Sequence, residues 1–575
     1  MIKNCLLGIG LGLLLTACAA NSNRPTDTPP ASPTVSRTLP AHSELGDTPV
    51  PTDAPLLTDT AIPSATPSAT ALSTDPPAVS ATMTPDPVSD PTSSPAPSMT
   101  PDPETTPATV LPSPTLVPTL VTPDSLSPTP APLAETAVAP APDLPPPPVG
   151  PEAPRVYETT LTIPTYNYEQ AFQATSPDDP IYPYPRLDLS QVGPPVPRTY
   201  QAVVLENGYV ALTVLPELGG RIYRWVDKAT GSQLLYENPV VKPTHWGYRG
   251  WWLAAGGIEW AFPVEEHGLN EWRPWTYSTG YTAHGLAVTV SNVEDRTGMA
   301  VGATISLDAD HAYVTLQPWA RNDTAEAHPY ELWLNAMLTV GGNAVSGRTQ
   351  FIIPASQVTV HSTGDGGLPG PGAAMNWPVY GGRDMSWYSN WGGYLGFFVP
   401  SVWSGFVGLY DHDADQGMVR VFTPGWPAGT KFFGPAGLSP TLWTDDGSQY
   451  IELWSGATSS FGQCATLNPG EQIGWVERWY PVNGLGGFNH ANVAAALRLT
   501  DTGGGAQVGV AVSALTTGHV TLWAGGQEAA RWSLTLYPGQ SFRIDWARPS
   551  GLSGDLGLTL TDANGTPLAQ TGLVP

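Results

Sequence analysis

Val204-Leu205-Glu206-Asn207-Gly208-Tyr209-Val210-Ala211-Leu212-Thr213-Val214-Leu215-Pro216-Glu217-Leu218-Gly219-Gly220-Arg221-Ile222 decides the fold class of this chain. Residues 209–215 read as a short β-strand, bounded by Asn207-Gly208 on one side and by Pro216 and Gly219-Gly220 on the other. The glycine pair before Arg221 suits a turn that needs positive φ or close backbone approach. The same kind of run, broken by Gly, Pro, Asn and Asp, recurs at 300–307, 350–354 and 405–410. No helical periodicity extends beyond about two turns. Many short strands in succession imply an all-β protein built from large stacked antiparallel sheets.

Outward from this stretch the composition changes twice. The chain has 575 residues, with 65 Pro, 60 Gly, 21 Trp and 21 Tyr, and its first aromatic residue is Tyr157. Residues 1–17, with Lys3 and the apolar stretch 6–15, have the form of a secretory leader. Leu15-Thr16-Ala17-Cys18 resembles a bacterial lipobox, which makes Cys18 the expected lipidation site. Residues 18–153 are Pro/Thr/Ser-rich and cannot bury enough apolar surface to fold, so a disordered, semi-stiff stalk is expected. The expected location is the bacterial cell envelope, lipid-anchored to the membrane through Cys18 and facing outside the cytoplasm. Residues 154–484 form the main expected domain. A second shift falls at Gly484-Leu485-Gly486-Gly487, and 485–575 read as a small β-sandwich with strands near 493–499, 506–513, 519–523, 532–536, 541–546 and 556–561.

A formal charge of −26 argues against a nucleic-acid partner, because phosphate neutralisation needs clustered Lys and Arg. Of three cysteines, Cys5 and Cys18 lie in or at the end of the leader, which leaves Cys464 alone in the body. A disulfide framework and a cysteine-based zinc site are therefore excluded. Asp411, Asp413 and Asp415 offer calcium-type oxygens but lack the full loop pattern of a calcium site, so neither a metal nor another cofactor is expected.

Residues 256–275 concentrate candidate chemistry: Glu259, Trp260, His267, Trp272, Arg273 and Trp275. Indoles stack on the apolar faces of sugar rings, while carboxylates and histidine handle hydroxyl protons. The run reads as one wall of a cleft for a saccharide or glycan ligand, with Glu259 as a ligand group, an acid/base group or a buried partner of Arg273. Outside it, Arg221 reads as a turn residue able to reach the cleft, Asp411 and His412 as polar groups at a strand end, and Glu477 as a further carboxylate between Trp475 and Trp479.

The quoted stretch, followed by Asp227-Lys228-Ala229-Thr230-Gly231, resembles the opening of galactose mutarotase-like (aldose 1-epimerase) proteins. Gly256-Gly257-Ile258-Glu259-Trp260, Trp333-Leu334-Asn335-Ala336 and Trp475-Val476-Glu477-Arg478-Trp479-Tyr480-Pro481 extend the resemblance to an uncharacterised bacterial branch of that superfamily, a domain of unknown function, from about residue 200 to 482. The resemblance implies a galactose mutarotase-like β-supersandwich whose concave sheet holds a sugar. It implies His267 as a sugar contact and Glu452, in Tyr450-Ile451-Glu452-Leu453, as the general base. The segment that carries a general-acid histidine in mutarotases is Trp333-Leu334-Asn335-Ala336-Met337 here. Asn335 can hydrogen-bond a hydroxyl but cannot donate a proton as imidazolium does. The acid then falls to His267 or Glu259, in an epimerase, hydrolase or lyase type of reaction. The alternative is a glycan-binding surface lipoprotein without catalysis.

Overall fold

The computed structural model describes residues 139–140 and 149–575. The expected leader, Cys18 and most of the expected stalk lie outside them. The glycine pair of the quoted stretch makes the turn it was expected to make. Gly219 and Gly220 have φ of +71° and +63°, and a Cβ on Gly219 would lie 2.5 Å from the Glu271 carbonyl oxygen. That turn joins the antiparallel strands Val210–Leu215 and Arg221–Asp227, paired Leu212 to Trp225.

Among the described residues, fourteen strands form one sheet and nine another. In the larger sheet, Arg221–Asp227 is followed in space by Ile258–Ala261, Trp333–Leu338, Ile451–Gly456, Gly429–Gly434 and Leu395–Phe398. The smaller sheet runs from Thr276–Tyr281 through Gly285–Val293, Ala300–Asp308 and Val314–Arg321 to Glu477–Asn483 and Gln416–Phe422. Their facing sides share one core, in which Leu212, Ile258, Leu334, Leu453 and Phe432 meet Val288, Ile305, Leu316, Met418 and Trp479. The main body is an all-β sandwich.

Successive side chains of a strand point to opposite faces. With Ile258, Leu334, Leu453 and Phe432 turned into the core, their neighbours Glu259, Asn335, Trp454 and Lys431 face away from it.

Residues 490–572 add two smaller sheets with a separate core that includes Leu497, Val510, Leu522, Trp532, Phe542 and Leu558. Tyr410, Val419 and Tyr480 of the main body, Phe488 of the connection, and Ala496 and Ala511 of this part share one apolar cluster. Within the main body, Asn483 Nδ2 at the end of the smaller sheet's strand Glu477–Asn483 donates to Asp227 Oδ2 of the larger sheet at 2.6 Å. The stalk was expected to run to residue 153. Ala139–Pro140 instead pairs in parallel with Gln527–Leu536, with Ala139 opposite Trp532, so backbone hydrogen bonding begins before the expected boundary.

Candidate functional site

The outward face of the large sheet carries a transverse row of polar and aromatic side chains. Glu259 pairs with Asn335, Asn335 with Trp454, and Trp454 with Lys431, across four adjacent strands. Glu452 lies two residues before Trp454 and shares its face. Gly256 and Gly257 set the start of Ile258–Ala261. Their φ values are +79° and +78°, and a Cβ on either would meet a carbonyl oxygen at 2.2 Å.

The chain then turns back over the row. Glu266, His267 and Gly268 are left-handed, with φ of +39°, +67° and +64°. This brings His267 Nδ1 to 2.5 Å from Glu259 Oε1. The imidazole stacks on Trp252, with centroids 4.6 Å apart and planes 5° from parallel, and meets the edge of Trp454 at 5.4 Å.

Burial in these rings pushes His267 down to about 4, so the imidazole is neutral at pH 7. Its Nδ1–H donates to Glu259, which leaves Nε2 as an acceptor. Asn335 Nδ2 donates to the same Glu259 oxygen at 3.2 Å, and Arg221 Nη2 lies 3.6 Å from the other. Burial raises Glu259 above the usual carboxylate range, while Arg221 and Asn335 pull it back. Next to this pair, Arg249 Nη2 donates to Glu271 Oε1 at 2.7 Å.

On the other side of Trp454, its Nε1 donates to Glu452 Oε2 at 2.8 Å. Lys431 Nζ lies 3.8 Å from the same oxygen. Burial raises Glu452, and Lys431 opposes the rise. Burial lowers Lys431, whose Nζ sits 4.6, 4.9 and 5.7 Å from the ring centroids of Trp454, Phe461 and Phe433. His361 is pushed down to about 3 by burial and by Lys431. Its Nε2 lies 3.4 Å from Glu266 Oε1.

Above the row is a cavity of about 710 Å³. Trp246, Tyr248, Trp252, Tyr394, Phe433 and Trp454 give it aromatic walls, and His245, Glu266, His267, His361, Lys431 and Glu452 give it polar groups. The sequence candidates His267 and Glu452 line this cavity. Glu259 lies beneath His267 and holds it, and Asn335 holds Glu259.

The other sequence candidates lie elsewhere. Arg221 is fully buried, donates to the carbonyl oxygens of Leu218, Gly256 and Glu271, and is the ionic partner of Glu259. The partner considered for Glu259, Arg273, pairs instead with Asp295 at 3.2 Å, and both are largely exposed. Trp260 and Trp275 belong to the core between the sheets, and Trp272 packs on Phe172 and Trp251. Glu477 is buried in the core, accepting from Arg420 Nε at 2.8 Å and from the Trp475, Trp479 and Ser455 side chains. On the smaller sheet, Asp411 accepts from the Asp413 and Ala414 backbone amides, and His412 packs on Trp387 and lies 3.0 Å from Gln350 Oε1.

Glu259, His267 and Glu271 each bring a ligand atom within 4.8 Å of the others, a possible metal cluster. Its charge is already balanced, two carboxylates against Arg221 and Arg249. A divalent cation would leave excess positive charge in a dry site, so the donor set does not fit one.

Residues 177–482 match the family described as a domain of unknown function, DUF5107. The chain belongs to the DUF5107 family. Its strands Ile258–Ala261, Trp333–Leu338, Gly429–Gly434 and Ile451–Gly456 all lie within the DUF5107 region. Residues 490–570 match a second description, the second domain of a YphG-like protein. Among solved structures, the chain is similar to a TPR-domain containing protein from Parabacteroides distasonis, with 23% identity and a TM-score of 0.50. The match covers 59% of this chain and 56% of that protein, so this DUF5107 chain spans about half of that relative's length. It is also similar to galactose mutarotase-like proteins. For the one from Clostridium acetobutylicum, identity is 11%, coverage 49% of this chain and 96% of that one, and the TM-score 0.36. For the one from Lactobacillus casei the figures are 11%, 49%, 100% and 0.31.

Sequence reasoning missed Trp246, Trp252, Glu266, His361, Lys431 and Trp454. Two of these had a readable signal: Trp454 is two residues from Glu452 on one strand, and Glu266 adjoins His267.

Proposed function

We propose that the cavity binds a saccharide and that Glu452 acts on it as a general base, in the manner of an aldose epimerase. The observation that carries this reading is the convergence of Glu452 and His267 in one cavity walled by tryptophans. Trp246, Trp252 and Trp454 offer faces for the C–H surface of a sugar ring. Neutral His267 Nε2 accepts a hydroxyl hydrogen bond. Glu452, raised by burial, is a stronger proton acceptor than an exposed carboxylate and takes the anomeric hydroxyl proton. Glu259 acts through His267, fixing its tautomer, rather than as acid toward the sugar.

The reading extends to delivery. Lipidation at Cys18 would tether the chain to the envelope membrane, and the Pro/Thr/Ser-rich segment would act as spacer, as Leu15-Thr16-Ala17-Cys18 and the composition after it support. The part from residue 485 onward would serve as an accessory sandwich.

Anomer interconversion measured by NMR exchange spectroscopy on a panel of aldoses tests the reading. Wild type accelerates exchange of at least one aldose, and Glu452→Gln lowers that acceleration by roughly 10²–10⁴-fold. Binding without turnover in wild type would establish a non-catalytic glycan-binding protein, and no binding at all would remove the saccharide.

A further inference from the structure

His267 and Glu452 are both assigned above as acceptors toward the sugar, and acid/base work on a sugar also needs a donor. We propose that Lys431 is that donor, a general acid that protonates the ring oxygen of an aldose bound in this cavity; the inference rests on the saccharide reading above.

Lys431 stands in the row beside Trp454, in the strand Gly429–Gly434. Its side chain is only 3% exposed, yet it lines the cavity. Among the described residues its Nζ makes no hydrogen bond to protein; its contacts are the ion pair with Glu452 at 3.8 Å and the rings of Trp454, Phe461 and Phe433. A buried ammonium whose N–H groups are unspent and whose neighbourhood is aromatic has its donors free for a ligand. The charged and titratable groups facing it are Glu452 on the next strand, Glu266 on the overlying loop and His361 on Gln357–Thr363. Both carboxylates favour the ammonium, while burial makes its proton easier to release than that of a solvated lysine.

The closeness of Lys431 to Glu452 suits ring opening. The anomeric hydroxyl and the ring oxygen are bonded to the same carbon, so the acceptor and the donor must be neighbours. Glu452 takes the proton of the anomeric hydroxyl, whose O–H electron pair becomes the second C–O bond of an aldehyde. The bond from the anomeric carbon to the ring oxygen breaks with its electron pair on that oxygen, which receives a proton from Lys431 Nζ. Closure onto either face of the aldehyde reverses both transfers and regenerates both groups.

The test uses the full chain and D-glucose, D-galactose and D-xylose, with anomer exchange read by NMR and affinity by calorimetry. Lys431→Met, close in shape and without a proton to give, and Lys431→Arg, which keeps the charge but does not release a proton near neutral pH, are compared with wild type. Both variants are expected to retain sugar binding within about tenfold and to lose at least ~10²-fold in kcat. The alkaline limb of the kcat–pH profile should disappear in Lys431→Arg. Lys431→Arg also answers the question should Lys431→Met fail to fold. Turnover by a folded variant within threefold of wild type, with the alkaline limb intact, overturns the assignment of Lys431 alone. Absence of turnover in wild type on every aldose overturns the saccharide-enzyme reading and this inference with it.

Discussion

Glu259→Gln separates the two jobs assigned to this carboxylate, balancing Arg221 and orienting His267. The ion pair spans 3.6 Å between side chains that are 0% and 1% exposed. At an effective dielectric near 20 that separation corresponds to about 4–5 kcal/mol of attraction, and breaking a buried pair typically costs about 3–5 kcal/mol. Arg221 retains the carbonyl oxygens of Leu218, Gly256 and Glu271, so its hydrogen bonds survive and chiefly the charge is lost. The expected cost is therefore at the lower end, about 3 kcal/mol at pH 7, read as a shift in urea unfolding midpoint at unchanged slope. The glutamine can present either its oxygen or its amide to His267 Nδ1. Nitrogen-15 spectra, which in wild type should show Nδ1 protonated and Nε2 bare, should then show mixed tautomers. A loss below about 1 kcal/mol together with an unchanged tautomer would mean that Glu259 carries a proton in the wild type, and the charge-balanced picture would be wrong.

Three further outcomes follow from other parts of the site. His267 is pushed from 6.5 to about 4 by burial, so the unfolded chain takes up its proton first as pH falls and acid favours unfolding. Relative to His267→Gln, wild type should lose about 3 kcal/mol between pH 6.5 and 4, and a pH-independent difference between the two would contradict a buried neutral imidazole. Gly257→Ala places a Cβ 2.2 Å from the Ile222 carbonyl oxygen at φ +78° and should prevent stable folding. Gly231→Ala, at φ +72° with nothing within 4 Å, should cost only about 1–2 kcal/mol in thermal or urea unfolding. Trp252→Ala removes the ring stacked on His267 and one cavity wall. Calorimetry should show roughly tenfold weaker sugar binding, on the order of 1–1.5 kcal/mol.

The strands were legible because their signals are local. Turn residues at Asn207-Gly208, Pro216 and Gly219-Gly220 bracket Val210–Leu215, and comparable punctuation brackets Ala300–Asp308 and Phe406–Asp411. Glu452 and His267 were legible from the resemblance and from residue type. The indole-rich run misled where residue type was read without face. Ile258 and Trp260 alternate with Glu259, so a carboxylate facing outward sends Trp260 into the core. Glu477 met the same fate, in a core polar cluster with Arg420. Lys431 was not legible. Its place beside Trp454 depends on pairing between Gly429–Gly434 and Ile451–Gly456, and its relation to Glu259 on two further pairings between strands distant in sequence. Nothing within Gly429-Thr430-Lys431-Phe432-Phe433-Gly434 announces those partners.

The transverse row makes correct pairing a condition for forming the cavity floor. A one-residue slip of Ile451–Gly456 against its neighbours would turn Leu453 outward and draw Glu452 and Trp454 into the core, and a like slip of Gly429–Gly434 would exchange Lys431 and Phe432. A sheet assembled out of register would thus present an apolar floor where the polar row should be. On the saccharide reading proposed above, sugar binding would then double as an assay of assembly: recovery of binding after refolding would report that these four strands had paired with Glu259, Asn335, Trp454 and Lys431 side by side on one face.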